Sequence, residues 1–458
     1  MEALQSFLDT VGGYVWGPFV LLPLLVGTGI FLMFLLKFMP IVKIPLAFKM
    51  VWKGRSVEEG HEGELSPFNA LMTSLAACVG TGNIVGVATA IYFGGPGAVF
   101  WMWMTAVFGM ATKFCETVLA VKYREVTPNG DFVGGPMYYI KNGLGDNWKW
   151  MAFLFAVFGA VASFGIGNMT QANAITSNMN QLIGNPEWGP VTIAIILFIV
   201  CALVLVGGVK RIGAVAGTMV PVMAAFYILA GIVIMIIHAD KVGPAFMSII
   251  SDAFTGTAMT GGFLGSTLLI AMRFGIARGL FSNEAGLGSA PIAHATAITN
   301  SPVKQGFLGM LDPFIDTLMI CTITAIVILI AGDWAAVDRG SAATVTYMAF
   351  EHALPGFGPY IVGVGLMLFA LSTIFGWCVY GERCCIYLFG HKAAVPFRVI
   401  FTLIVPVGAL LQLELVWSLS DLFNGLMALP NLVALLLLSP VVVKLTKEYF
   451  SDPNNMLK

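Results

Sequence analysis

Charge is what this sequence lacks. Asp, Glu, Lys and Arg make up 10% of its 458 residues, against about 25% in soluble domains. A soluble chain this poor in charge could not clothe its surface in water-compatible groups. Lipid is the solvent that fits, and a hydrophobic content of 58% agrees. Neither sign of charge predominates: the net charge is −1, which offers nothing to nucleic acid. Cysteine is scarce and unpatterned. Cys78, Cys115, Cys201, Cys321, Cys378, Cys384 and Cys385 lie mostly inside apolar stretches without disulfide or zinc spacing. They read as reduced, buried, small apolar side chains. A basic leader is missing too: the first apolar run follows Glu2 and Asp9, so no cleavable signal peptide is expected. Enzyme signatures are absent. There is no HExxH, no GxSxG and no evident nucleophile–base pair. Neither His238 nor His294 has a metal-ligand partner three or four residues on. The chain is therefore expected to be no enzyme and to carry no cofactor.

What is there is a series of apolar runs of the length that crosses a bilayer, about 20 residues. Spans are expected at 14–36, 67–93, 97–121, 150–182, 188–209, 213–238, 259–299, 307–331, 357–380, 395–415 and 422–444. The span 259–299 is read as two half-segments. The fold class is thus all-α integral membrane, with about eleven transmembrane helices. Lysine and arginine set the orientation. Loops 37–66, 122–149, 210–211 and 383–394 and the tail after 444 are rich in both, from Lys37 through Lys458. The intervening loops hold only Lys241 and Arg339, beside Glu187, Asp240, Asp333, Asp338 and Glu351. This asymmetry puts the N-terminus outside and the C-terminus in the cytoplasm of a cell-membrane protein.

Two of the apolar segments carry glycine and polar residues near their middles. One reads LAACVGTGNIVGVATA, with Gly80, Gly82 and Gly86 around Thr81 and Asn83. The other reads ARGLFSNEAGLGSAPIAHATAITN, with Ser282, Asn283 and Glu284 followed by Gly286 and Gly288. Setting the first span aside leaves two sets of five. Residues 1–66 would be an extra N-terminal helix and cytoplasmic loop, 67–238 one five-helix repeat, 239–445 a second and inverted one, and 446–458 a cytoplasmic tail. The breaks then fall in the first helix of each repeat, the pattern of inverted-repeat transporters. An unwound stretch survives in a membrane only where it lines an enclosed cavity. There its free N–H groups attract an anionic group and its carbonyls coordinate a bare cation. Glycines in apolar helices also serve close helix packing; the matched positions of the pair favour a binding site. The 80–86 string is not a dinucleotide fingerprint, because no βαβ unit surrounds it.

These strings carry a family resemblance. VGTGNIVGVATA (79–90), GGPGAVFWMW (94–103), GGPMYY (134–139), FGIGNM (164–169) and FSNEAGLGSAPIA (281–293) resemble the alanine or glycine:cation symporter family, from the first helix to about residue 445. The resemblance implies sodium-coupled, sometimes proton-coupled, uptake of alanine or glycine on the five-plus-five fold of the leucine transporters, with one extra N-terminal helix. It implies that Cys78, Gly80, Thr81 and Gly82 face the substrate, with the Gly82 N–H near its carboxylate. Cys78 departs from members that have threonine there, and a thiol is the weaker hydrogen-bond partner. Gln171 would contact substrate polar atoms, Phe281, Ser282, Asn283 and Glu284 would form the second break, and Trp377 would wall the side-chain pocket. The wider fold implies a sodium site from the carbonyls of Ala76 and Val79 with the hydroxyls of Ser372 and Thr373, and a second sodium at Asn83.

Read singly, several of these residues have a plainer use. Glu284 is a carboxylate at bilayer depth and so functional by default. It would receive the substrate ammonium or carry a coupling proton; the rival is an ion pair with Arg278 or Arg273. Lys113 and Glu116, three apart, read as an ion pair within their helix rather than a proton relay. Asp312 and Asp316 read as structural or gating residues near a water-accessible helix end. Gln171 lies in a polar stripe with Asn168, Thr170, Asn173 and Thr176 that would also glue helices. Phe281 and Trp377 would leave room only for a small side chain, so Trp377→Ala is expected to admit larger amino acids. The rival functions are a proton-coupled carrier or exchanger using Glu284, a channel, and an intramembrane enzyme. A channel wants a continuous polar pore, whereas the polar residues here cluster at mid-membrane. The sequence carries no signature of an oligomeric state.

Overall fold

The computed structural model describes residues 2–17, 20–57, 60–255, 264–332, 334, 344–411 and 414–452. Nearly all of them are helical. The principal helices are α1 (Glu2–Val15), α2 (Leu21–Leu35), α3 (Ile44–Lys53), α4 (Pro67–Cys78), α5 (Val85–Gly94), α6 (Gly97–Lys122), α7 (Asp146–Leu182), α8 (Gly189–Leu205), α9 (Gly208–Ile237) and α10 (Ala239–Thr255). They continue with α11 (Leu264–Asn283), α12 (Ala290–His294), α13 (Pro302–Ala331), α14 (Val345–Ala353), α15 (Gly358–Phe389), α16 (Ala394–Leu410) and α17 (Glu414–Ser451). Among the described residues, seven helical runs are long and apolar enough to cross a membrane: α6, α7, α9, α13, α15, His391–Leu410 and Ser418–Ser451. Shorter apolar helices, among them α2, α5 and α8, accompany them.

Helix starts and stops follow local chemistry. Ser66 caps α4, its hydroxyl accepting from Asn69 N at 3.1 Å, and Pro67 takes the first helical position. Gly95, at φ +72°, ends α5. The expected span 14–36 is two helices: α1 ends at Val15 and α2 begins at Leu21, and the sequence between them holds a residue before proline, which is disfavoured in helix. The final helix runs on to Ser451, so the expected tail from 446 begins as helix. Residues 259–263 of the second broken span lie outside the described residues, as do Asp333, Asp338, Arg339 and Lys458 of the orientation argument.

α6 is the central post. Its apolar window is 83% buried, against 28% for α9, which lies at the edge. α6 packs on α11 and α13, and α7 on α15 and α17. The perimeter carries large exposed apolar side chains such as Leu203, Leu229, Ile236 and Val395, as a lipid-facing surface does. On the face rich in lysine and arginine, Leu65 pairs in parallel with Ala297, joining the chain ahead of α4 to the chain after α12. Arg124, just past α6, clasps that joint. It donates to the carbonyls of Ala295 (3.1 Å), Ala297 (2.6 Å), Glu62 (2.9 Å) and Thr299 (2.8 Å). Glu64 reaches across to α15, accepting from Arg383 Nη2 at 2.6 Å and from Phe132 N at 2.8 Å. Burial pushes the Glu64 carboxyl up, and the Arg383 guanidinium opposes that.

Candidate functional site

Both expected breaks are present. α4 ends at Cys78; Val79 and Gly80 are extended, Thr81–Asn83 form one tight turn, and α5 resumes at Val85. α11 ends at Asn283, Glu284 adopts φ +54°, and Gly286 and Gly288 follow at φ +90° and +81° before α12. A non-glycine residue in the left-handed region is uncommon and held by its surroundings. Glu284 is held by Trp377 Nε1 on Oε1 at 3.0 Å and Ser289 Oγ on Oε2 at 2.6 Å, with the Cys78 thiol more distant. Neither Arg278 nor Arg273 is its partner.

The first break opens an oxygen-rich corner against α15. Ser372 Oγ and Thr373 Oγ1 both lie 3.4 Å from the Val79 carbonyl, while donating to Phe369 O at 2.8 and 3.0 Å. Gly80 N, the helical partner of the Ala76 carbonyl, donates instead to Asn83 Oδ1 at 2.8 Å. The Ala76 carbonyl is thereby released from its helical bond. Gly80 is glycine of necessity, since a Cβ there would stand 2.6 Å from Thr373 Oγ1. Gln171 approaches the same point. Its amide nitrogen donates to Ile166 O at 3.0 Å, in the widened turn Gly165–Met169 of α7, and its buried Oε1 has no partner.

The two breaks meet at a residue that hydropathy misplaces. Asp316, in a widened turn of α13, is fully buried. It accepts Asn83 Nδ2 at 2.6 Å, Ser282 Oγ at 2.8 Å and Thr317 Oγ1 at 2.7 Å. Its expected position near a watery helix end is therefore corrected: π-type widening turns it inward. Asp312 is equally buried, held by Ser74 Oγ and lying 3.7 Å from Lys113 Nζ and 3.5 Å from His294 Nε2. Lys113 thus faces Asp312, and Cys78 Sγ at 3.7 Å, rather than the expected Glu116. Glu116 instead accepts from Asn431 Nδ2 at 2.6 Å.

A cavity of about 430 Å³ opens from these breaks toward the face opposite the lysine- and arginine-rich loops. Thr81 and Phe281 reach it, with Gly86, Asn178, Arg278 and Asp421 among the residues higher up. Gly82 is pressed against Phe281 and Ser282, where a Cβ would stand 3.3 and 3.2 Å from their atoms. The remaining residues expected to hold substrate lie behind this front. Cys78 points at Asn283 O and Glu284, 3.8 and 3.7 Å away. Asn283 is turned to Thr105 and Thr317 at 3.3 and 3.2 Å. Trp377 lies over Gly167, where a Cβ would come 2.2 Å from its own. It braces Glu284 and does not line the cavity. Arg278 and Asp421 also line it; in sequence Arg278 stood only as a rival partner of Glu284, and Asp421 only as a charge just ahead of the expected span 422–444.

Comparison with known proteins gives the family and the fold. Residues 1–457 match the sodium:alanine symporter family. The chain belongs to that family. It is 47% identical to the sodium/alanine symporter AgcS of Methanococcus maripaludis, over 99% of each chain. It is 38% identical to the amino-acid carrier protein AlsT of Bacillus subtilis, over 97% of this chain and 92% of that one. Its fold is that of MhsT, solved in complex with L-phenylalanine: the TM-score is 0.57 at 14% identity, covering 84% of this chain and 98% of MhsT. This member of the sodium:alanine symporter family is a multi-pass, leucine-transporter-like membrane transporter, and the family is one of transporters and not of enzymes.

Proposed function

We propose that this chain carries a small neutral amino acid, alanine or glycine, together with sodium across the cell membrane by alternating access. One observation carries the reading: the unwound Val79 carbonyl faces two hydroxyls, Ser372 and Thr373, on another helix. Hydroxyls and freed carbonyls are the ligands a dehydrated sodium ion takes. Ala76, Val79, Ser372 and Thr373 would hold one sodium. Asn83 would belong to a second, and its contact with Asp316 supports adding that carboxylate, with Ser282 and Thr317, to the ligand set. The substrate would lie between the breaks. Its carboxylate would take the N–H groups of Thr81 and Gly82, its ammonium the unpartnered Gln171 Oε1, and its side chain a space limited by Phe281. Glu284, braced by Trp377 and Ser289, would anchor the second break together with Asn283. Cys78 would tie that break to the first.

Sodium and carboxylate stabilise the same unwound backbone, so each raises the affinity for the other by an equal factor. The two halves, 67–238 and 239–445, would act as inverted repeats. The lysine-rich face would be cytoplasmic and the 430 Å³ cavity the outer vestibule. The deciding experiment is alanine-stimulated uptake of labelled sodium into proteoliposomes, with choline replacement and a proton gradient as controls. Flux of alanine that requires sodium supports symport and is expected to fail in Asp316→Asn. Flux that ignores sodium and follows protons would move coupling to Glu284, and no flux under either gradient would overturn the substrate assignment.

A further inference from the structure

A second cavity, of about 270 Å³, lies beside the vestibule and shares Arg278, Phe281 and Asp421 with it. Its far wall is α1, through Leu8, Gly12, Gly13 and Trp16, and Ser418 completes it. That wall is fixed. Trp16 Nε1 donates to the Asp421 carbonyl at 2.8 Å, and Gln5 Nε2 to Ser418 Oγ at 2.6 Å. Gly425 lets α17 come so close that a Cβ there would stand 2.8 Å from Trp16 Nε1. Two glycines line it, and a Cβ at Gly12 or Gly13 meets nothing within 4 Å.

Opposite charges face this space, near enough to act on each other but outside ion-pair distance. No ion pair joins Arg278 to Asp421 among the described residues. Arg278 Nε is buried without a partner, and the guanidinium stands 5.9 Å from the Phe281 ring centroid. A ligand that is only an anion would be repelled by Asp421, and one that is only a cation by Arg278. A zwitterion satisfies both, since charge-assisted hydrogen bonds form at each end and neither buried charge is left alone. We propose that α1 builds here a second binding site for a small zwitterionic amino acid, with its carboxylate on Arg278 and its ammonium on Asp421. The assignment rests on reading the chain as an amino-acid symporter, and it gives the N-terminal helix a function: it is the wall of that site. Phe281 is the partition between the two cavities, so a ligand held by Arg278 also acts on the ring that bounds the primary site.

The test is equilibrium binding of labelled alanine to the purified full-length protein, with sodium and with choline. Two saturable phases are expected, the tighter one sodium-dependent. Gly13→Leu, which adds bulk to the cavity wall at a point where a Cβ meets nothing within 4 Å, should lose the weaker phase and keep the tighter one. Asp421→Asn should lose the weaker phase without adding bulk. A single sodium-dependent phase in the unaltered protein, or a weaker phase that survives both substitutions, would overturn the second site and leave the transport reading standing. No sodium-dependent binding at all would overturn both.

Discussion

At the scale of single residues, the site is organised by what glycine permits and what buried carboxylates require. Gly80→Ala would drive a methyl group to 2.6 Å from the Thr373 hydroxyl. Overpacking of this kind costs about 1–3 kcal/mol, and each 1.4 kcal/mol is about tenfold in an affinity. The variant is expected to lose about tenfold or more in apparent sodium affinity, read from the sodium dependence of alanine uptake. An unchanged sodium dependence would separate Thr373 from the ion. Trp377→Phe keeps an aromatic ring over Gly167 but deletes the N–H that Glu284 accepts. A buried acceptor deprived of its donor costs about 1–3 kcal/mol, so the protein should melt measurably lower in detergent. Equal melting would mean that Ser289 suffices. Much of this was legible in the sequence. Polar and glycine strings at matched positions located both breaks, because backbone must unwind where glycine and small polar side chains interrupt an apolar run. Asp316 was not legible. It lies 233 residues from Asn83, and hydropathy reads it as a helix-end carboxylate; only the widened turn of α13 aims it inward. Lys113 was misassigned for a related reason: helical spacing puts Glu116 in reach, but three-dimensional packing offers Asp312 on another helix.

At the scale of elements, spacing and length were sound where helices are uniform and failed where they are interrupted. The expected first span ignored the stop after Val15, so α1 emerged as a separate helix with its own contacts to α17. The joint between the chain ahead of α4 and the chain after α12 left no periodic signal, since it is a single bridge in loops. Arg124 makes that joint an element. Its planar fork serves four carbonyls from both segments, a geometry that a lysine point charge cannot copy. Arg124→Lys is therefore expected to free the paired amides. Hydrogen exchange at Glu64, Leu65, Ile298 and Thr299, whose N–H groups donate across the joint, should quicken by about tenfold for each 1.4 kcal/mol lost, while α6 exchange stays slow. Equal exchange in both proteins would make the backbone pairing self-sufficient and Arg124 an ornament of it.

At the scale of the whole molecule, alternating access requires that one face close while the other opens. Here the vestibule stands open on one side, and the opposite face is locked by Glu64, which joins the chain just ahead of the first broken helix to α15 through Arg383. The ion pair is 6% and 1% exposed. Breaking such a buried pair costs more than losing a surface one, because a charge is left uncompensated. That cost favours the closed inner face until sodium and substrate add their own binding energy. Glu64→Gln removes one charge with little change of shape and should bias the transporter toward opening on the lysine-rich face. Cys78, buried at the first break, is the reporter. In right-side-out vesicles a membrane-permeant maleimide should label it several times faster in the variant, while an impermeant one gains nothing. Acidification should act in the same direction. Burial raises the Glu64 carboxyl above its ordinary 4.5, so lowering pH through that raised range protonates it and withdraws its charge from Arg383. The unaltered protein should then show faster Cys78 labelling toward acid pH, and Glu64→Gln a flat profile. If labelling is unchanged in the variant, the Arg124 clasp alone holds the inner face. If both proteins respond to acid alike, Glu64 is not the group that senses the proton.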